Sequence, residues 1–321
     1  MRLLVTGGAG FIGSNFVSYI LKKYPDYKVV NLDALTYAGS MVNLRDVENN
    51  RRHKFVHGKI EDGKLVDKLM EDIDVVINFA AESHVDRSIL EPQVFITTNV
   101  LGTQVLLDAA LRHKVKLFYQ ISTDEVYGAL RLGTKERFTE NSPLRPNSPY
   151  SASKTSADLL VQAYHHTYKM PVVISRCSNN YGPKQHNEKF IPTVILNALK
   201  DKPVPIYGDG LYVRDWIHVL DHCQAIDLIM HKGKSGEIYN VGAYNELANI
   251  DLAKRILKIL GKPESLLTSV KDRPGHDRRY AIDSAKLRRK LGWRPSITFD
   301  EGLAETVHHY YITTKLARND S

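Results

Sequence analysis

The chain is poor in cysteine, with only Cys177 and Cys223 in 321 residues. Two thiols cannot form a disulfide framework. With no signal-peptide pattern ahead of the first apolar run, the expected setting is the reducing cytoplasm. No apolar stretch approaches the ~20 residues that cross a bilayer, so no membrane role is expected. Despite a formal charge of +8, long blocks of like charge are missing. The basic residues are spread, with small clusters at Arg51-Arg52-His53-Lys54, Arg278-Arg279 and Arg288-Arg289-Lys290. These fit solvated helix faces or a site for an anionic small molecule. No nucleic-acid reading module accompanies them, so nucleic acid is not an expected partner. His84 and His276 have no companions at metal-ligand spacing, and no metal site is expected. Internal repeats and low-complexity segments are also missing. The remainder, 43% hydrophobic and 25% charged, is ordinary for a soluble globular chain.

What is present alternates. Short apolar runs at Arg2–Thr6, Lys28–Asp33, Lys54–His57, Val75–Phe79, Lys116–Ser122 and Val172–Arg176 predict strands. Helical patterns at Gly13–Lys23, Gly63–Glu71, Pro92–His113 and Pro149–Tyr168 lie between them. Such alternation predicts an α/β fold, a doubly wound parallel sheet with helices on both faces. After about Tyr181, Pro, Gly and Tyr punctuate shorter segments, which predicts a smaller lobe. The expected division is residues 1–180 and 181–321. A strand near 237–241 is expected to return to the main sheet, so the lobes interleave. The last residues, about Leu316 to Ser321, are expected to fray.

The first strand runs into Gly7-Gly8-Ala9-Gly10-Phe11-Ile12-Gly13 and then a helix. A glycine-rich strand-to-helix turn lets backbone approach a pyrophosphate and aims helix amides at it. Asp33, twenty residues past Gly13, ends the next apolar run, where a carboxylate can hold a ribose 2′-hydroxyl. It would repel a 2′-phosphate, so NAD is the expected cofactor in a Rossmann-type domain. Tyr150 and Lys154 are four residues apart, on one face of a helix. A free tyrosine is a poor base, but a nearby ammonium and a cationic nicotinamide favour its phenolate. Gln120-Ile121-Ser122-Thr123-Asp124-Glu125 ends a strand in adjacent carboxyls, at the sheet edge where open α/β folds bind ligands. The two could divide into acid and base. A turn or helix N-cap would use the same residue types.

Taken together, these motifs resemble the extended short-chain dehydrogenase/reductase superfamily and, within it, the nucleotide-sugar 4,6-dehydratases, nearest those acting on dTDP-glucose. Further matching segments are Asp33–Gly39, Ala80–Ser88, Arg176–Pro183, Lys189–Pro192, Val213–Trp216 and Asp272–Tyr280. The resemblance spans essentially the whole chain. It implies a hydro-lyase with a C-terminal α/β substrate-binding lobe, a dTDP-glucose substrate and a homodimer built through a four-helix bundle of Pro92–His113 and Pro149–Tyr168. It implies Tyr150 as proton acceptor at the sugar 4-hydroxyl, Lys154 as its partner, Thr123 near O4, Glu125 as the C5 base and Asp124 as the acid at the 6-hydroxyl. Gly7, Gly10, Phe11, Ile12 and Gly13 are implied at the pyrophosphate. Asp33, Leu35, Thr36 and Ile60 are implied at the adenosine, and Ala80, Ala81, Thr98 and Asn180 along the cofactor. Arg214 and Arg273 are implied as diphosphate clamps. Ser83, Asn179, Lys189, Phe190, Pro205, Ile206, Tyr207, Asn249, His276 and Tyr280 are further substrate contacts. Cys177 is expected as a small core residue beside the cofactor. Lys59, Ala34 and the short loop from Ala129 to Phe138 depart from the family pattern. An epimerase or decarboxylase of the same fold, or a uridine nucleotide as substrate, stays open at this point.

Overall fold

The computed structural model describes residues 1–319, and the side chains of residues 1–315. Seven strands form one wholly parallel sheet: β1 (Arg2–Thr6), β2 (Lys28–Asp33), β3 (His53–His57), β4 (Val75–Asn78), β5 (Leu117–Thr123), β6 (Val172–Cys177) and β10 (Ile238–Val241). Their order is β10-β6-β5-β4-β1-β2-β3. The direction of winding reverses between β1 and β4, which opens a crevice at the carboxyl ends of these strands.

The strands read as apolar runs because both faces are covered. Side chains alternate between faces. Leu3, Val5, Ile77 and Tyr119 meet Phe16 and Ile20 of the helix Phe11–Lys23 and Ile226 of Val219–Lys232. Leu4, Val76 and Phe118 pack on the opposite side against Val66, Met70, Leu106 and Val161. Each such fully buried side chain contributes about 1.5–3 kcal/mol.

At Ser178 the chain leaves β6 and enters a second sheet. It holds β7 (Asn179–Tyr181), β9 (Val213–His218) and β11 (Glu246–Ala248), in the order β11-β9-β7. A parallel pair, β8 (Val204–Tyr207) with β12 (Leu267–Val270), lies nearby in sequence. Ile191, Ile195, Ile206, Trp216, Leu252, Ile256 and Leu303 form a core of their own around these strands.

Two sequence expectations change. Pro92–His113 is not one α-helix: Pro92–Phe95 and Thr103–Arg112 are α-helical, but Ile96–Gly102 is a π-helix. A hydrophobic pattern does not separate the two, since a single wider turn shifts the apolar face by only about one residue. The same segment, Pro92–Arg112, spans 21 residues and contains an 18-residue stretch of mean hydropathy 1.4, enough by length and composition to cross a membrane. Its polar residues hide this from a search for unbroken apolar runs, and two of them, Asn99 and Thr103, are buried in the protein. At the other end, helix Phe299–Asn319 continues through the segment expected to fray. Residues 320 and 321 of that segment lie outside the described residues.

Candidate active site

A cleft of about 610 Å³ follows the carboxyl ends of β1, β2, β4, β5 and β6. Gly7 closes its floor with φ +70°, and a Cβ there would lie 2.7 Å from the Ala80 nitrogen. At Gly13 a Cβ would sit 2.3 Å from the Gly7 oxygen. Backbone alone fits at both places. Gly7→Ala should therefore cost about 2 kcal/mol of stability and weaken dinucleotide retention. A melting curve and the NAD content of the purified variant check this.

Asp33 ends β2 with its Oδ2 accepting from the Ala9 amide and its Oδ1 from the Leu35 amide, both at 2.8 Å. The carboxylate therefore braces the glycine turn as well as facing the cleft. Leu35 itself adopts φ +49°. It lies behind the lining, whereas Thr36 and Ile60 line the cleft together with Ala34 and Lys59. Ala80, Ala81, Ser83 and Thr98 continue the wall.

The helix Pro149–Tyr168 starts where the sequence says it should. Pro149 sits in the first turn, and Ser148 and Ser151 cap each other reciprocally. This fixes Tyr150 and Lys154 on its cleft-facing side. Tyr150 is 8% exposed, with Phe95 edge-on to its ring at 6.3 Å. Lys154 is buried and its Nζ donates to the Ile121 carbonyl at 2.7 Å. Burial, then the Glu125 charge, raise the phenol well above its ordinary range, and a hydrogen bond with Thr123 opposes them. Burial also lowers the Lys154 ammonium, against the pull of Asp158. In the protein alone the tyrosine is thus held protonated, and Lys154 does not by itself ionise it.

Thr123, at the end of β5, caps the short turn Asp124–Tyr127 by accepting from the Glu125 amide at 3.3 Å. The two carboxyls of that turn live in different surroundings. Asp124 is buried and its Oδ2 has no partner. Burial, then Glu125 and Asp215, push it well above the carboxylate range. Asp215 is itself pushed up to about 7, chiefly by burial. Burial raises Glu125 too, but Arg273, Arg214 and Lys189 all act to lower it. Asp124 is thus pressed toward its protonated form by burial and two carboxyls, while Glu125, also raised by burial, is flanked by three cations.

Asn179, Asn180 and Lys189 complete the lining. Asn180 donates to the Ser178 carbonyl and shares a 2.9 Å hydrogen bond with His222. Lys189 Nζ donates to the Ser83 carbonyl at 3.1 Å. Cys177 also lines the cleft, its thiol pushed up to about 12 by burial.

The remaining residues expected at the substrate do not line this cleft. Phe190, Pro205, Ile206, Tyr207, Arg214, Asn249, Arg273, His276 and Tyr280 belong to the neighbouring lobe. Among them, the Arg214 guanidinium lies 4.3 Å from the Tyr280 ring centre. His276 stacks on Tyr212 at 3.6 Å and is pulled down to about 4, by burial first and Arg273 next. Their link to the cleft is electrostatic, through the two arginines acting on Glu125.

Sequence reading passed over several groups here. Glu82 lines the cleft, buried, with Oε2 unpartnered, and burial raises it. Asn99, on the π-helical turn, clamps the Glu82 amide at 2.9 Å and its carbonyl at 3.0 Å. Asp86 holds Arg273 at 3.3 Å and Tyr207 at 3.4 Å. The signal for Asn99 was an amide midway along a largely apolar helix. Glu82 lay inside a quoted motif but carried no spacing of its own.

Such a site, a glycine turn at the switch point of a parallel sheet with a Tyr–Lys helix beside it, defines a dinucleotide-binding fold equipped for proton transfer. The chain belongs to the GDP-mannose 4,6 dehydratase family, whose sequence model matches residues 4–306. The dTDP-glucose 4,6-dehydratase of Xanthomonas campestris is 52% identical over 332 residues, covering 97% of this chain and 93% of its own. The low-salt glycan biosynthesis protein Agl12 of Haloferax volcanii is 52% identical over 310 residues, covering 97% and 98%. The crystal structure of DesIV, the dTDP-glucose 4,6-dehydratase of Streptomyces venezuelae, has NAD bound and superposes with a TM-score of 0.95 at 49% identity, covering 98% of each chain.

Proposed function

We propose that this protein is an NAD-dependent hydro-lyase that converts dTDP-glucose to dTDP-4-keto-6-deoxyglucose. The observation that carries this reading is the unequal pair Asp124 and Glu125 beside Tyr150. An epimerase needs no second acid and base there, whereas eliminating water across C5 and C6 needs both. The residues also fit NAD. The glycine turn admits a pyrophosphate where any Cβ would clash, and Asp33 offers a carboxylate to a ribose diol.

When bound, NAD supplies a hydride acceptor for C4 and a hydride donor for C6. Gly7, Gly10 and Gly13 would hold its pyrophosphate, and Asp33 its adenosine ribose. Tyr150 takes the proton of the 4-hydroxyl, with Thr123 fixing that oxygen. Lys154, with the positive charge of the oxidised nicotinamide, draws the phenol down toward ionisation. The resulting 4-keto group acidifies C5–H, and Glu125 removes that proton. Asp124 gives its proton to the departing 6-hydroxyl. Glu125 then returns a proton to C5. Arg214 and Arg273 grip the diphosphate, since guanidinium forks match paired oxygens. We assign residues 1–180 with the strand at 237–241 to the cofactor, and the rest of 181–321 to the nucleotide sugar.

The test is incubation of purified protein with dTDP-glucose and, separately, UDP-glucose, without added cofactor, following the alkali-induced absorbance of a 4-keto-6-deoxy sugar. Signal with dTDP-glucose is expected. No signal with either, even after adding NAD, overturns the dehydratase reading.

The active assembly in this reading is a homodimer. Ile89, Leu90, Val94, Ile96, Leu101 and Leu159 are exposed on the helices Val85–Leu90, Pro92–Arg112 and Pro149–Tyr168, and Leu90 is 80% exposed. Packing two helices from each copy into a four-helix bundle would cover them. Leu101→Glu together with Leu159→Glu should convert the dimer to monomer in sedimentation velocity; an unchanged dimer would refute the bundle. A reducing cytoplasm suits two buried, unbridged cysteines.

A further inference from the structure

One turn beyond Lys154 on the same helix lies Asp158, with no exposed surface, and facing it is Arg176 of β6, 1% exposed. Arg176 Nε donates to Asp158 Oδ2 at 2.9 Å. Its other nitrogen donates to the Tyr127 hydroxyl at 3.0 Å, and that hydroxyl donates to Asn240 Oδ1 at 2.8 Å. Tyr127 ends the same short turn that carries Asp124 and Glu125. One buried guanidinium therefore joins the Tyr150–Lys154 helix to the carboxyl-bearing turn. Asp158 Oδ1 makes no hydrogen bond. A buried ion pair is commonly replaceable by apolar residues without loss of stability, so packing alone does not account for one at this place.

We propose that Asp158 and Arg176 are positioning residues: the pair sets the charge on Lys154 and locks its helix to the Asp124–Glu125 turn. The inference rests on the reading of Tyr150 and Lys154 as the proton-moving pair. The charged and titratable groups that act on Lys154 are Asp158 on its own helix and Cys177 on β6. Asp158 is the strongest influence keeping the ammonium charged against its burial. Arg176, bonded to that same carboxylate, is a cation of the same sign as the ammonium.

The opposite charges of the two partners give opposite expected outcomes for the two halves of the pair. Asp158→Asn leaves Arg176 as an uncompensated cation, which favours the deprotonated forms of Lys154 and Tyr150. The whole pH–rate profile should move down by about one pH unit. Arg176→Gln leaves Asp158 as an uncompensated anion, and the profile should move up by a similar amount. Arg176→Lys keeps the charge but loses the fork to Tyr127. It should leave the profile in place while lowering kcat. Asp158→Asn with Arg176→Gln should return the profile toward that of the parent.

The experiment measures these profiles for dTDP-glucose turnover. In parallel, it titrates the Tyr150 phenol in the NAD complex by tyrosinate difference absorbance against Tyr150→Phe. Opposed shifts in the two single variants support the pair. Should one of them fail to fold, the other against Arg176→Lys decides. Rates that fall with unmoved profiles and unmoved phenol midpoints reduce the pair to structure and overturn the proposal. Phenol midpoints that shift in a protein without dehydratase turnover would sustain the pair and overturn the reaction assigned above.

Discussion

Replacing Tyr150 by Phe is expected to lower dTDP-glucose turnover by about 10³-fold or more while NAD stays bound. The ring keeps its edge contact with Phe95 and its place on a doubly capped helix, so stability should change by less than about 1 kcal/mol. What is lost is the phenol hydroxyl that shares the cleft with Thr123. Without that oxygen no group on the helix can take the 4-hydroxyl proton. Lys154 is tied to the Ile121 carbonyl and carries its own proton. Turnover by the 4-keto assay, and NAD content after gel filtration, check the two halves of this expectation. A variant retaining a tenth of the parent rate would remove Tyr150 from the proton transfer. The parent enzyme should also gain rate as pH rises through the acid limb, because the phenol starts above its ordinary range and must ionise.

The second large effect divides the carboxyl pair. Glu125→Gln should abolish incorporation of solvent deuterium at C5 and slow turnover by about 10²- to 10⁴-fold. Asp124→Asn should slow elimination without slowing oxidation, so that reduced-nicotinamide absorbance builds up during turnover. The asymmetry follows from the surroundings. Asp124 has burial and two carboxyls pressing it toward the protonated form, and its Oδ2 is free of any bond. Glu125 has three cations holding it nearer ionisation. Normal deuterium exchange in Glu125→Gln would transfer the base role elsewhere. Equal slowing of both steps in Asp124→Asn would deny it the role of acid.

Much of this was legible in residue order because local rules write it there. The glycine spacing answers a steric demand made by neighbouring backbone, that of Ala80 at Gly7 and that of the turn itself at Gly13. Helix Pro149–Tyr168 begins at a serine cap and a proline, both local signals, and its observed bounds are those expected. The parallel strands announce themselves as unbroken apolar runs because both of their faces are covered. The π-helical turn at Ile96–Gly102 left no such trace. It arises where Asn99 must reach the backbone of Glu82 and Ser153 Oγ at once, a demand made by segments distant in sequence.

By itself, then, the sequence determined the elements, their alternation and the residue types gathered at strand ends, because propensity, capping and periodicity act within a few residues. Only the tertiary structure decided the charge states. Asp124 and Glu125 are adjacent and chemically alike; burial raises both, but Asp215 presses on Asp124, whereas Arg273 and Lys189 join Arg214 in lowering Glu125. Those partners lie between 64 and 148 residues away in the chain. Desolvation and Coulomb interactions depend on distance in space, which no spacing along a chain records. The same holds for Asp158 and Arg176, whose pairing exists only once β6 lies beneath the helix.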